Sequence, residues 1–336
     1  MAGKILFAEI IRHFVSLIVR SKTLKEEVAM SVYVVGHSSP DTDSVAAAIA
    51  FAHYLKATGT DAVPVAQSAE LNPESKLVLA KFGLAAPAAF TDAAGKDVAL
   101  VDFSDIAQAP ANIKEANVVA IVDHHKIGDI TTGGPIFFYA KPVGCTCTVL
   151  YEMFSTNKVE LPKNIAGAML AAILSDTVNF KSPTCTDEDK AAVKALTGIA
   201  GVTDTDGLFM EMLKAKSAVD GVPIKDLIFR DYKDFDMGGK KLGICQLELA
   251  TLDQAAGIKA DLMKGLEALK GEGRHSVIMM LTDVVKEGSE LLVYSDEPAL
   301  IEKAFGGKLS NNTMWVDGMM SRKKQTVPPL QKAFGA

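Results

Sequence analysis

The sequence predicts an α/β protein, with a doubly wound, mainly parallel sheet in an N-terminal domain and a smaller mixed α/β domain after it. Three observations carry this. Short β-branched or apolar runs alternate with helical segments, and that alternation implies parallel strands joined by crossover helices. The runs VALVD (98–102) and VVAIVD (118–123) are apolar without a break, as strands covered on both faces are. Near 201–221 the chain turns to GVTDTDG followed by a helix and loop, and 336 residues suit two ordinary domains.

Taken in order, SVYVVG (31–36) is a strand ending in Gly36, and an alanine-rich helix is expected from Ser44 to Thr58, stopped by Gly59. DAVPVAQ (61–67) is a second strand whose Pro64 suggests a sheet edge. Asn72 caps a helix with Pro73 at its first position, ending at Gly83. After the two apolar strands come helices at 145–155, at 164–174 and from Thr186-Asp187 onward. In the second domain, Gly238-Gly239 separates two strand-like runs, and Lys286-Glu287-Gly288 separates another pair, giving two hairpin signals. A helix over 253–270 and the segment 297–305 complete it. The expected division is an N-terminal extension (1–29), a first domain (30–205), a linker (206–221) and a second domain (222–336). Residues 5–19 have helical spacing but carry Glu9, Arg12 and His13, too interrupted to span a bilayer and without a signal-peptide cleavage site. No function is expected of 1–29.

Hydrophobic content of 49% and mean hydropathy of +0.19 supply ample core material. A formal charge of −6 and a pI near 5.6 argue against nucleic acid as the main partner, so an anionic substrate would need a local basic patch. No membrane partner is expected. Cys145, Cys147, Cys185 and Cys245 form no CxxC pair, which suggests buried thiols in a reducing cytoplasm. Cys145-Thr146-Cys147 lacks the second thiol pair that a soft-metal site would want.

The chemistry sits where predicted strands or helices run out. His37, Asp41 and Asp43 lie in VVGHSSPDTDS, Asp102 ends one apolar run, Asp123-His124-His125 ends another, and Asp176 closes a helix. Carboxylates grouped with imidazoles suit hard or borderline divalent metals, and two such ions together support phosphoryl transfer. Asp41 or Asp43 could instead be a simple N-cap, which would explain one aspartate but not both beside a histidine. Adjacent His124 and His125 can face different partners, one a metal and one a substrate oxygen, with Asp123 orienting the rings. His53 reads as a structural histidine, and His13 and His275 have no supporting neighbours. Far along the chain, Ser321-Arg322-Lys323-Lys324-Gln325 is either a solvated face or a clamp for a dense anion, to which Lys216 could contribute.

From Ser31 to the C-terminus the chain resembles the family II inorganic pyrophosphatases, the manganese- or cobalt-dependent branch of the DHH phosphoesterase superfamily. The carriers are GHSSPDTDS, the DHH at 123–125, SDTVNFKSPTCT at 175–186, AKS at 215–217 and SRKKQ at 321–325. The last separates it from DHH relatives ending in a GGGH-like motif. The resemblance implies a DHH metal-binding domain, a DHHA2-like second domain, a cytoplasmic homodimer and pyrophosphate as substrate. It makes His37, Asp41 and Asp102 ligands of one Mn²⁺ (or Co²⁺), and Asp43, Asp102, His124 and Asp176 ligands of a second, with Asp102 shared. His125, Lys216, Arg322 and Lys323 would bind the substrate and neutralise its phosphates, Mg²⁺ would arrive with it, and a hydroxide bridging the metals would attack at a site between the domains. A DHH-type phosphodiesterase or nucleotide phosphatase is the alternative. One departure from the family pattern is Phe103, in Asp102-Phe103-Ser104-Asp105 where many members carry a DHNE-like stretch, which puts metal preference in question.

Overall fold

The computed structural model describes residues 31–335, so the expected extension 1–29 and its helical pattern lie outside the described residues. The chain divides into two compact units between Met212 and Leu213. In the first, β1 (Val32–Val35), β2 (Ala62–Ala66), β3 (Ala88–Ala89), β4 (Asp97–Val101), β5 (Asn117–Asp123) and β6 (Phe137–Ala140) form one sheet. Its order is β3-β2-β1-β4-β5-β6, and every pair is parallel. The order reverses between β1 and β4, and at such a switch point the loops leaving the carboxyl ends of neighbouring strands part and open a crevice.

Helix α1 (Thr42–Ala57) follows β1, and α2 (Pro73–Lys81), α3 (Thr146–Asn157), α4 (Lys163–Asp176) and α5 (Asp187–Ala200) follow in turn. Alternation along β1 explains the layering. Val32 and Val34 pack with Phe51, Leu150, Met169 and Leu170 from the helices, whereas Val35 turns to the opposite face with Leu100, Phe103 and Ile121. Helix α1 begins at Thr42, two residues before the sequence places it, because the Asp41 carboxylate caps it by accepting from Ser44 N at 3.0 Å. Asn72 caps α2 in the same way at 2.8 Å, and Thr186 and Asp189 form a reciprocal capping box on α5. Pro64 does not mark the sheet edge: β3 pairs with β2 at Val65 and Ala66, just beyond the proline that lacks an N–H.

Helix α6 (Thr205–Lys216) spans the point of division, so much of the stretch 206–221 is helical. The second unit contains α7 (Ile224–Phe229), β7 (Tyr232–Met237), β8 (Lys240–Leu249), α8 (Lys259–Gly271), β9 (Ser276–Asp283), β10 (Gly288–Ser295), α9 (Pro298–Phe305), β11 (Thr313–Asp317) and α10 (Val327–Phe334). The sheet order is β11-β10-β9-β8-β7, antiparallel except for β8 with β9, whose parallel pairing requires the α8 crossover. Both expected hairpins form. The expected helix over 253–270 is instead a short 3₁₀ turn at Leu252–Ala255 followed by α8, with Gly257 in the break. Cys185 is only partly buried, unlike the other three thiols.

Gly36 is fixed by close approach. A Cβ there would lie 1.8 Å from Ser44 Oγ and 2.9 Å from the Ser44 carbonyl oxygen. That hydroxyl accepts from His37 N at 2.9 Å, tying the loop after β1 to the first turn of α1. Gly36→Ala is expected to destabilise the protein by about 1–3 kcal/mol, measured as a fall in the urea midpoint with an unchanged slope.

Candidate metal centre

Three strand ends and two helix ends deliver the side chains. His37 leaves β1, Asp102 leaves β4, Asp123-His124-His125 closes β5, Asp41 and Asp43 begin α1, and Asp176 ends α4. Asp102 lies at the middle. One of its oxygens is 3.3 Å from His37 Nε2, and the other is 3.4 Å from His124 Nε2 and accepts from Thr146 Oγ1 at 2.9 Å. Its backbone has φ +69°, a left-handed conformation unusual for a side-chain-bearing residue and tolerated best by aspartate and asparagine. Burial opposes its charge, but the hydrogen bonds and charges of His124 and His37 prevail and hold the carboxyl well below its ordinary range.

Asp41 is the N-cap, and it has a second oxygen free of that task. One oxygen caps α1, while the other lies 3.4 Å from His37 Nε2. Asp43 is fully buried and accepts from Thr146 N at 2.7 Å and Cys147 N at 3.0 Å, satisfying orphan donors in the first turn of α3. Burial, then the nearby Asp102 charge, pushes its carboxyl up to about 6. Asp176 is raised well above its ordinary value by burial and by Asp43. Both imidazoles shift upward although burial works against them. His37 reaches about 10 through Asp102 and Asp41, and His124 about 9 through Asp102 and Asp43.

His124 Nδ1 lies 2.9 Å from the Val143 carbonyl, which can only accept, so Nδ1 carries the proton and Nε2 faces Asp102. Asp123 Oδ1 accepts from the backbone N–H groups of His124 and His125 and lies 3.0 Å from His125 Nδ1. Its hydrogen bond, opposed by burial, raises the His125 pKa. The orienting part expected of Asp123 therefore has a geometry, although its Oδ2 is buried without a partner. His125 remains half exposed.

Ligating atoms of His37, Asp41 and Asp102 lie within 4.8 Å of one another, as do those of Asp43, His124 and Asp176. A cavity of about 180 Å³ is lined by Asp41, Asp102, His124, His125, Gly144, Asp176 and Thr184. Buried carboxylates crowded until two of them resist ionisation, beside imidazole nitrogens, make a donor set that fits a divalent cation of manganese type. Asp43, Cys145 and Cys147 also converge, with burial pushing both thiols well above their ordinary values, but this set has one thiol pair where a soft-metal site would want two. Phe103 turns away into the apolar cluster on the opposite face, so the departure at this position puts no side chain into the cavity.

Sequence reasoning missed two anchoring residues. Thr146 binds Asp102 through its hydroxyl and Asp43 through its N–H. Glu74, 4% exposed, accepts from Thr42 Oγ1 at 2.5 Å and Ser175 Oγ at 2.7 Å, each the neighbour of a candidate ligand. A hydroxyl beside each of Asp43 and Asp176 was the only available signal. His275 joins none of the donor groups among the described residues. It lies 3.0 Å from Glu297 and edge-on to Phe334, in the second unit. His53 Nε2 lies 3.2 Å from the Glu160 carbonyl, a structural role.

The basic residues belong to the second unit's side of the division. Lys216 ends α6, and Arg322 and Lys323 begin a π-helical turn, Arg322–Thr326. Lys323 is exposed, whereas the Arg322 guanidinium is mostly enclosed and held by Asp231.

A parallel sheet whose switch point gathers carboxylates and histidines around a polar cavity, followed by a mixed second unit, defines the DHH class of metal-dependent phosphoesterases. The family model described as "DHH family, N-terminal domain" matches residues 31–173, and that described as "DHHA2 domain" matches 210–333. A protein of Archaeoglobus fulgidus named "Probable manganese-dependent inorganic pyrophosphatase" is 50% identical over 316 residues, covering 90% of this chain and 98% of its own. A manganese-dependent inorganic pyrophosphatase of Methanothrix thermoacetophila is 47% identical, covering 91% and 99%. A crystal structure described as that of "Methanococcus jannaschii putative family II inorganic pyrophosphatase" matches with a TM-score of 0.58 at 44% identity, covering 90% of this chain and 99% of that one. The chain belongs to the manganese-dependent, family II inorganic pyrophosphatases.

Asp102→Asn is expected to lower Mn²⁺ affinity by about 100-fold, because this carboxylate belongs to one three-residue group and lies 3.4 Å from His124 of the other. Calorimetric titration measures the affinity. The rise in melting temperature that Mn²⁺ gives the unsubstituted protein should disappear at the same ion concentration.

Proposed function

We propose that the protein hydrolyses inorganic pyrophosphate to two orthophosphates, using metal-holding groups of the first unit and cationic groups of the second. The observation that carries this reading is the convergence of His37, Asp41, Asp43, Asp102, His124 and Asp176 at one switch point, in a chain about half identical to proteins named for that reaction. Two Mn²⁺ (or Co²⁺) per chain, joined by Mg²⁺ with the substrate, would neutralise phosphate oxygens and acidify an attacking water. His37, Asp41 and Asp102 are assigned to one ion, and Asp43, Asp102, His124 and Asp176 to the other. His125, with Nδ1 directed at Asp123, offers its Nε2 proton to a phosphate oxygen. Arg322 supplies paired N–H donors, and Lys216 and Lys323 supply point charges, to phosphates whose charge grows as the bond breaks. The domain roles follow: 30–205 catalytic and 222–336 substrate-binding, joined by 206–221.

The test is phosphate release from pyrophosphate after loading with Mn²⁺, Co²⁺ or Mg²⁺, compared with short oligonucleotides and 3′-phosphorylated nucleotides. Pyrophosphate should be the preferred substrate. Faster turnover of the nucleotides would assign the chain to a DHH phosphodiesterase or nucleotide phosphatase instead. Lys323→Ala should lower kcat/KM for pyrophosphate by about 10- to 1000-fold, and unchanged turnover would remove Lys323 from the clamp.

A homodimer is also proposed. Strand β6 ends the sheet with no partner on its outer side among the described residues, and it exposes Phe138. Open edges of this kind invite pairing. No helix among the described residues is long and apolar enough to cross a membrane. Sedimentation equilibrium should give twice the 35.7 kDa chain mass.

A further inference from the structure

The segment carrying Arg322 is tied to the second unit's sheet by a directional chain of buried hydrogen bonds. Gln246, on β8 and 7% exposed, accepts from Arg322 N at 3.1 Å through its carbonyl oxygen. Its amide nitrogen donates to the Met320 carbonyl and to Thr282 Oγ1, both at 3.0 Å. Ser289 Oγ donates to the Met319 carbonyl at 2.6 Å, so in the 2.8 Å contact between Thr282 and Ser289 it is the threonine hydroxyl that donates. Side chains of β8 and β10, linked through Thr282 of β9, thus fix the backbone at Met319, Met320 and Arg322, while the Ser321 N–H is taken by Gln325.

The guanidinium is fixed as closely. Arg322 Nη1 donates to the Asp231 carbonyl at 2.5 Å and to that of Ile244 at 3.3 Å, and Nη2 donates to Asp231 Oδ1 at 2.6 Å. The same Asp231 carbonyl accepts from Gln246 N at 3.0 Å, closing a knot of three residues from three separate segments. These bonds occupy the end of the guanidinium away from its stem. The remaining edge, formed by Nε–H and the second Nη2 hydrogen, has no protein acceptor among the described residues, and it is a fork that matches two phosphate oxygens.

We propose that Asp231 and Gln246 are positioning residues for substrate binding: Asp231 holds one edge of the Arg322 guanidinium, Gln246 holds its backbone, and the other edge is thereby presented to a phosphate of the substrate. The proposal rests on the substrate role assigned to Arg322 above. A flexible arginine loses rotamer freedom on capturing an anion, and one already held by Asp231 loses less, so the benefit falls on affinity. The opposing effect is that a carboxylate beside the guanidinium dilutes its charge. Asp231 is half exposed, so solvent screens that term more than it screens the fixed geometry.

The test is steady-state hydrolysis of pyrophosphate by the full, Mn²⁺-loaded chain as Asp231→Ala, Asp231→Asn, Gln246→Ala, Arg322→Ala and the double variant of Asp231→Ala with Arg322→Ala. Asp231→Ala should raise KM about 10-fold with little change in kcat. Asp231→Asn, which retains an acceptor, should recover part of that loss. In the Arg322→Ala background, Asp231→Ala should add less than about 2-fold, since the group it positions is gone. Asp231→Ala and Asp231→Asn carry the test even if the buried Gln246→Ala variant folds poorly. If Arg322→Ala raises KM but Asp231→Ala does not, or if the two effects multiply independently, the positioning role is overturned while the substrate role of Arg322 stands. An unchanged KM in Arg322→Ala overturns both.

Discussion

The interaction on which the first unit's chemistry depends is the Asp102 carboxylate shared between two imidazoles. Each oxygen faces a different histidine, and each histidine is placed by a different strand end. This is possible only because β1 and β4 are sheet neighbours at the point where the strand order reverses, so that loops leaving them diverge. The left-handed backbone at Asp102 serves the same geometry. A φ of +69° costs an ordinary side-chain-bearing residue about 1–2 kcal/mol, and here it turns the carboxylate into the cavity while Phe103 is sent to the apolar face. A strained residue and a buried phenyl ring are two sides of one turn.

Around that carboxylate, the supporting contacts come from the helices rather than the strands. Asp43 satisfies the N-terminus of α3, Thr146 at the same terminus returns a hydroxyl to Asp102, and Glu74 on α2 binds the hydroxyls next to Asp43 and Asp176. Helix ends that would otherwise carry unsatisfied N–H groups are thus stabilised by the residues that face the candidate ions. The second unit uses another arrangement, a line of neutral side chains across β8, β9 and β10 that ends on the backbone of the basic segment. Charge is handled at helix termini in one unit and by a hydroxyl and amide chain in the other.

Much of this could be read in the sequence, for a physical reason. Strand-end carboxylates such as Asp102 and Asp123 follow apolar runs whose end is marked, and His37 follows a glycine that closes a strand, so position along the element implies position at the sheet edge. The alternation of elements likewise gave the sheet, since parallel pairing needs crossovers. What could not be read are interactions between residues far apart in the chain. Nothing near Arg322 indicates that Asp231 will hold it, and nothing near Asp43 indicates the N-terminus of α3. Asp41 was legible as either cap or ligand candidate because one carboxylate has two oxygens, and the fold uses them separately.

The spacing of the centre's residues along the chain also constrains the order of events in synthesis. The group of His37, Asp41 and Asp102 is supplied by the loop after β1 and the end of β4, whereas the group of Asp43, His124 and Asp176 draws on three segments that run to the end of α4. Parallel sheets must close long loops before their contacts form, so they form slowly. A nascent chain that has not yet delivered helix α4 from the ribosome lacks Asp176, and with it the second donor group. The two candidate groups are therefore completed at different points of synthesis, the first when β4 delivers Asp102 and the second only with the end of α4.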